Sequence, residues 1–207
     1  MSATRRKPAN PKERLLVAAM AYVTKHGVGE LTLRQLAAAI GTSHRMLVYH
    51  FGSKEGLLVE VVRRFEDQQR RNLAALAGDQ SRPPIEQMRR MWRRLTSPRM
   101  WPRERLFFEL YGQALQGRAH TASLLPEIVE SWIGPLAEWC ERSGVPGAAA
   151  PSAAHLALAV TRGLLLDLLT TGDRKAVDAT MEYFLANYRP GEPAAHGPTA
   201  KSRRNGP

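Results

Sequence analysis

LTLRQLAAAIGTSHRMLVYHFGSKEGLL, running from Leu31 to Leu58, decides the fold. Leu33, Leu36, Ala37 and Ile40 recur at helical spacing and give one apolar face. Thr32 precedes them as an N-cap, its hydroxyl placed to accept from an orphan backbone N–H one turn on. Gly41 ends this helix, because glycine takes positive φ at no Cβ cost. Ser43 caps a second run, His44 to Tyr49, and Ser53 caps a third helix that continues through Leu57 and Leu58. Helix, glycine turn, capped helix is the helix-turn-helix plan, whose second helix enters the DNA major groove.

The side chains left outside that small core are Arg34, His44, Arg45, Tyr49, His50 and Lys54. They are cationic or hydrogen-bonding and cannot all be buried, and such groups supply the phosphate contacts that dominate protein–DNA hydrogen bonding. With the two caps and one apolar neighbour, the candidate DNA contacts are Thr32, Arg34, Ser43, His44, Arg45, Met46, Tyr49, His50 and Lys54. Arg45 is expected to read a base, and Tyr49, His50 and Lys54 to hold phosphates. On pattern alone, a solvated helical hairpin is the competing reading.

From about Glu13 to Leu58 the chain resembles the DNA-binding head of the tetracycline-repressor (TetR) family of bacterial transcriptional regulators. The resemblance rests on Leu31-Thr32-x-Arg34-x-Leu36-Ala37, on Gly41-x-Ser43, and on Leu47-x-Tyr49-His50-Phe51-x-x-Lys54-x-x-Leu57. It departs at Val48, where the family usually carries tyrosine; a phosphate contact is lost there or passes to Tyr49. Beyond the first quarter of the chain the resemblance is architectural. It implies an all-α homodimer that binds a palindromic operator in double-stranded DNA and carries a small-molecule effector site in its second part.

Charge agrees with a nucleic-acid partner. Of the formal net charge of +11, residues 1–60 carry nine Lys/Arg against four acids, residues 191–207 three against one, and the 130 between only +4. A basic head on a nearly balanced body fits DNA better than a membrane surface, since no strongly basic amphipathic helix stands out. No run of about 18 apolar residues occurs, so no membrane partner is expected. The N-terminus has charges without an apolar segment behind them, so no secretory leader is expected. One cysteine, Cys140, excludes an intramolecular disulfide and fits a cytoplasmic location; it is either a core residue or a redox switch.

Four segments are expected: a basic arm (1–11, with Arg5, Arg6 and Lys7), the DNA-binding domain (12–58), an effector-binding and dimerisation domain (59–190), and a basic tail (191–207). The arm either reaches a minor groove or is a free tail. Helices are expected over Lys12–His26, Ser53–Leu76, Ile85–Leu95, Arg103–Gln116, Thr121–Arg142, Ser152–Thr171 and from Asp173 to Tyr188. Pro102 is expected to break the chain and Gly134-Pro135 to interrupt a helix. Ser152–Thr171 is apolar almost all round, so burial on several sides and a role in dimerisation follow, with Leu165 and Leu169 in the interface.

No catalytic constellation is legible. The six histidines are scattered, no glycine-rich phosphate loop or G-x-S-x-G turn occurs, and neither an enzyme nor a cofactor is expected. Glu127 and Glu130, three apart on one helix, are either paired carboxylates or an exposed face. The arginines of Arg89–Arg94 are a solvated helix face or a second DNA patch. The candidate effector residues are Trp92, Trp101, Phe107, Tyr111, Trp132, Trp139 and Arg162, because aromatic side chains between bundle helices either fill a core or line an apolar ligand pocket. The expected activity is repression relieved by a small, mostly apolar effector. A transcriptional activator of the same fold and a non-specific nucleic-acid-binding structural protein are the alternatives.

Overall fold

The computed structural model describes residues 10–27, 31–79 and 81–187. The basic arm to Ala9, Tyr188 and the C-terminal tail lie outside the described residues. Among those described there are nine α-helices and no strand: α1 Pro11–His26, α2 Leu33–Ala39, α3 His44–Phe51, α4 Lys54–Ala77, α5 Pro84–Leu95, α6 Trp101–Leu115, α7 Leu125–Arg142, α8 Ala150–Thr171 and α9 Arg174–Asn187. A single 3₁₀ turn, Ala122–Leu124, leads into α7.

The first four helices begin where short polar side chains dictate. Asn10 accepts from the Lys12 amide at 3.1 Å and caps α1. Thr32 and Gln35 form a reciprocal capping box on α2, with contacts of 2.8 and 3.2 Å. Ser43 accepts from the Met46 amide and Ser53 from the Gly56 amide, opening α3 and α4. Gly41 takes φ +71° in the turn, open to glycine and costly for other residues. Gly56 is needed for a different reason: a Cβ there would sit 2.3 Å from the Phe51 carbonyl oxygen.

Leu16, Val23, Leu36, Leu47 and Phe51 bring α1, α2 and α3 together, and Leu57, Val61, Val62 and Phe65 extend the same core along α4. That core does not stop at residue 58. It runs on through Leu106, Phe107 and Leu110 of α6 to Ile128 of α7, so head and body share one apolar seam. A second cluster joins Leu73, Met91, Trp92, Trp132, Leu136, Leu158, Leu165 and Met181.

The two prolines act differently from the sequence expectation. Pro102 lies in the first turn of α6, where its missing N–H has no helical partner to lose. Pro135 lies inside α7, and the helix runs through it with Trp132 and Leu136 buried on either side. Helix α8 is also different: Ala154, Ala157, Leu158, Leu165 and Leu168 face inward, whereas Leu156 and Leu166 are 44% and 50% exposed. Burial is therefore one-sided in this chain. By length and mean hydropathy Ala150–Thr171 could cross a membrane, although it holds no unbroken run of about 18 apolar residues. Here it packs between α7 and α9.

Candidate DNA-binding head and ligand cavity

On α3, Leu47 and Phe51 point one turn apart into the core, which leaves His44, Arg45, Met46, Val48 and Tyr49 on the outside. Tyr49 is 79% exposed, so it can reach a phosphate from its place beside Val48. Arg34 on α2 is exposed too, and Lys54 sits half-buried in the first turn of α4. Thr32 and Ser43 are exposed but engaged in capping. His50 is half-buried against Tyr49 and Phe51, and its Nε2 is buried without a partner. A phosphate contact from His50 would have to come from its other ring nitrogen. Lys12 lies 3.6 Å from Glu60 and 5.6 Å from the centre of the Phe51 ring, tying α1 to α4 behind this surface.

In the body, α4, α5, α6, α7, α8 and α9 line a partly open cavity of about 60 Å³. That is several times the roughly 10–15 Å³ one water requires. Trp92, Phe107, Trp132 and Arg162 line it. Trp101, Tyr111 and Trp139 do not. The Trp101 indole donates to the Thr96 carbonyl at 3.2 Å, and Trp139 donates to Gln87 at 3.0 Å. Tyr111 packs 5.7 Å from Phe107 towards the head core. Their rings serve packing between helices.

Three lining groups fell outside the sequence reading: Glu66, Gln69 and Glu104. Glu66 accepts from the Trp132 indole at 2.6 Å and lies 3.7 Å from the Arg162 guanidinium. Burial pushes its carboxyl above the ordinary range, against the pull of Trp132 and Arg162. Burial, and then the charge of Glu66, push Glu104 further, to about 8. Arg162 donates to the Ile128 carbonyl and lies 5.1 Å from the centre of the Phe107 ring. The Gln69 side chain accepts from Asn72, and its Nε2 is buried without a partner. A signal did exist. Val62, Glu66, Gln69 and Leu73 share one stripe of α4 at spacings of four and three, so two polar residues interrupt an apolar face.

The remaining candidates are accounted for at the surface or in the core. Arg89 pairs with Glu182 and Glu86, whereas Arg90, Arg93 and Arg94 are exposed. Glu127 binds Arg63 at 2.9 Å, and Glu130 is exposed. Cys140 is 1% exposed, and burial raises its thiol pKa.

Residues 15–61 match the family model described as bacterial regulatory proteins, tetR family. That segment, the helix-turn-helix head with the start of α4, is therefore similar to the DNA-binding part of TetR-family regulators. No curated protein sequence matches the chain. The fold agrees with solved structures over most of the chain. A TetR transcriptional regulator from Legionella pneumophila superposes with a TM-score of 0.62 at 22% identity, over 86% of this chain and 98% of that one. A transcriptional regulator from Saccharomonospora viridis, in complex with choline, gives 0.67 at 20% identity over 85% and 95%. The multidrug binding protein EbrR, complexed with imidazole, gives 0.60 at 23% identity over 88% and 96%. At these identities the likeness establishes the fold. The family match supports a DNA-binding role for residues 15–61, with the exposed face of α3 as the candidate reading surface.

Proposed function

We propose that the chain is a homodimeric repressor that leaves its operator when a small molecule enters the cavity bounded by α4–α9. One observation carries this reading. Helix α4 bears the head's core residues Leu57 and Val61 at one end and the cavity residues Glu66, Gln69 and Leu73 further along. A ligand that fits one tilt of α4 better than another shifts the population between two head positions. In a dimer the two α3 helices would have to reach successive major grooves, about 34–36 Å apart, for tight operator binding. Choline and imidazole, bound in two related folds, make small organic molecules reasonable effectors here.

The dimer reading rests on α8 and α9. Leu156, Ala159, Gly163 and Leu166 form an exposed stripe on α8, and Ala176, Ala179 and Tyr183 one on α9. Only 33% of the most apolar window of α8 is buried within one chain, which leaves an apolar face for a second copy. Leu165 belongs to the cavity and Leu169 is half-buried, so Leu156 and Leu166 replace them as interface residues. A Leu156→Glu, Leu166→Glu double variant should be monomeric in light scattering and bind operator weakly. A fully dimeric variant removes α8 from the interface. For the function itself, DNA fragments selected by the purified protein should share one palindrome, and a cavity ligand should release it. Selection of unrelated sequences would leave only non-specific binding.

A further inference from the structure

We infer that the cavity takes a compact organic cation, a primary or quaternary ammonium, held by the Glu104 carboxylate among aromatic and thioether side chains. This deepens the effector reading and rests on it for its regulatory consequence.

The cavity lining holds more acidic groups than basic partners for them. Two carboxylates, Glu66 and Glu104, line the space with one guanidinium, Arg162. Arg162 is committed to Glu66, to the Ile128 carbonyl and to the Phe107 ring. Glu66 also has the Trp132 indole. Glu104 has no hydrogen bond or ion pair among the described residues. Arg103, its neighbour on α6, lies over the Phe65 ring at 4.6 Å and 3.4 Å from Thr24 instead. An acidic ligand would meet two carboxylates and an arginine already in use. A neutral apolar ligand would cover Glu104 and leave it unpaired, which is costly. A cation supplies the missing partner, and Trp92, Trp132, Phe107, Phe108, Met88 and Met91 offer the ring and sulfur surfaces that favour alkylammonium groups.

Binding then has a proton balance. Without a ligand, Glu104 holds its proton up to about pH 8, because burial and Glu66 oppose a second charge. The charged groups around it are Glu66 from α4, Arg103 on α6 and Arg162 from α8. The cavity surface from α5, α7 and α9 is Met88, Met91, Trp92, Leu95, Trp132, Leu136 and Met181, all uncharged. A cation stabilises the ionised carboxylate, so the Glu104 proton leaves to solvent as the ligand enters. Affinity should therefore rise about tenfold per pH unit below the pKa and level off above it.

Calorimetry on the full chain can test this with three probes of nearly one shape: choline, its neutral counterpart neohexyl alcohol, and the tert-butylacetate anion. Choline should bind at least about tenfold more tightly than the alcohol, and the anion weakest. Choline binding should release a proton, read from titrations in two buffers of different ionisation enthalpy. Glu104→Gln should abolish both the preference and the proton release while alcohol binding persists, which also shows the variant is folded. Equal or tighter binding of the alcohol or anion, no proton release by the wild type, a variant that keeps its preference, or no choline binding at millimolar concentration each overturns the cation assignment. DNA release is measured separately. Choline that binds but leaves operator affinity unchanged removes the effector reading alone; a neutral cavity ligand that releases DNA while choline fails to bind removes the cation alone.

Discussion

In the head, the apolar residues Leu16, Val23, Leu36 and Leu47 are at most 6% exposed, and Arg34, His44 and Arg45 all face outward. In the body, the polar groups turn the other way: Glu66, Gln69, Glu104 and Arg162 line a cavity among tryptophans and methionines. The head keeps its charges in water until DNA neutralises them, which costs little stability. The body holds ionisable groups where water is scarce, which costs stability when they charge and gives selectivity for whatever relieves it. A filled core with a charged outside suits a surface reader. A cavity with charge inside suits a small-molecule sensor.

The largest expected effect separates the two directly. Leu47→Ala in the filled head should cost about 2–5 kcal/mol in denaturant unfolding, the range for buried leucines. Leu165→Ala, on the cavity wall, should cost clearly less, because its neighbours already border open space. Equal losses would mean that the cavity is closed in solution. Next comes Arg45→Ala, expected to reduce base discrimination by about 1–3 kcal/mol at one position per half-site while leaving unfolding unchanged. An unaltered selected sequence would take Arg45 out of base readout.

A third test concerns the inward charges. The folded pKa of Glu104, about 8, stands above its ordinary value of 4.5. Below the lower value both states are protonated and its contribution is fully present. As pH rises to the higher value the unfolded chain loses the proton first, so stability is lost across that window. Glu104→Gln should therefore flatten the fall in Tm between about pH 5 and 8 by at least about 2–4 °C. An unchanged slope would show that Glu104 ionises freely in the folded chain. The smallest effect is Lys54→Ala, which should weaken operator and random DNA alike and reduce the salt slope by about one. Loss confined to the operator would reassign Lys54 to sequence readout.

Why the head was legible and the cavity was not follows from distance along the chain. Thr32 with Gln35, Ser43 with Met46 and Ser53 with Gly56 are caps that close within three residues, so the sequence states them outright. The contacts that build the cavity join Glu66 to Trp132, 66 residues apart, and those bracing it join Trp92 to Asp178, 86 apart. No periodicity reports such pairs. The concentration of aromatics in the middle of the chain was visible, but which rings face the opening depends on helix rotation; Trp101 and Trp139 turn away by bonding to Thr96 and Gln87. The acids were the missed signal, and their position on apolar stripes was the place to look.

The four tryptophans also make the molecule its own optical reporter. All four lie between residues 92 and 139, and none is in the head. Trp132 donates to Glu66 and Trp92 to Asp178, so each indole on the cavity wall has a carboxylate at its nitrogen. Emission from these two rings will respond when charge or water at the wall changes. The absence of indoles near α3 keeps DNA contact nearly silent in the same channel. Ultraviolet fluorescence can therefore follow occupancy of the body, and anisotropy of labelled DNA can follow the head, in one cuvette and without a dye on the protein.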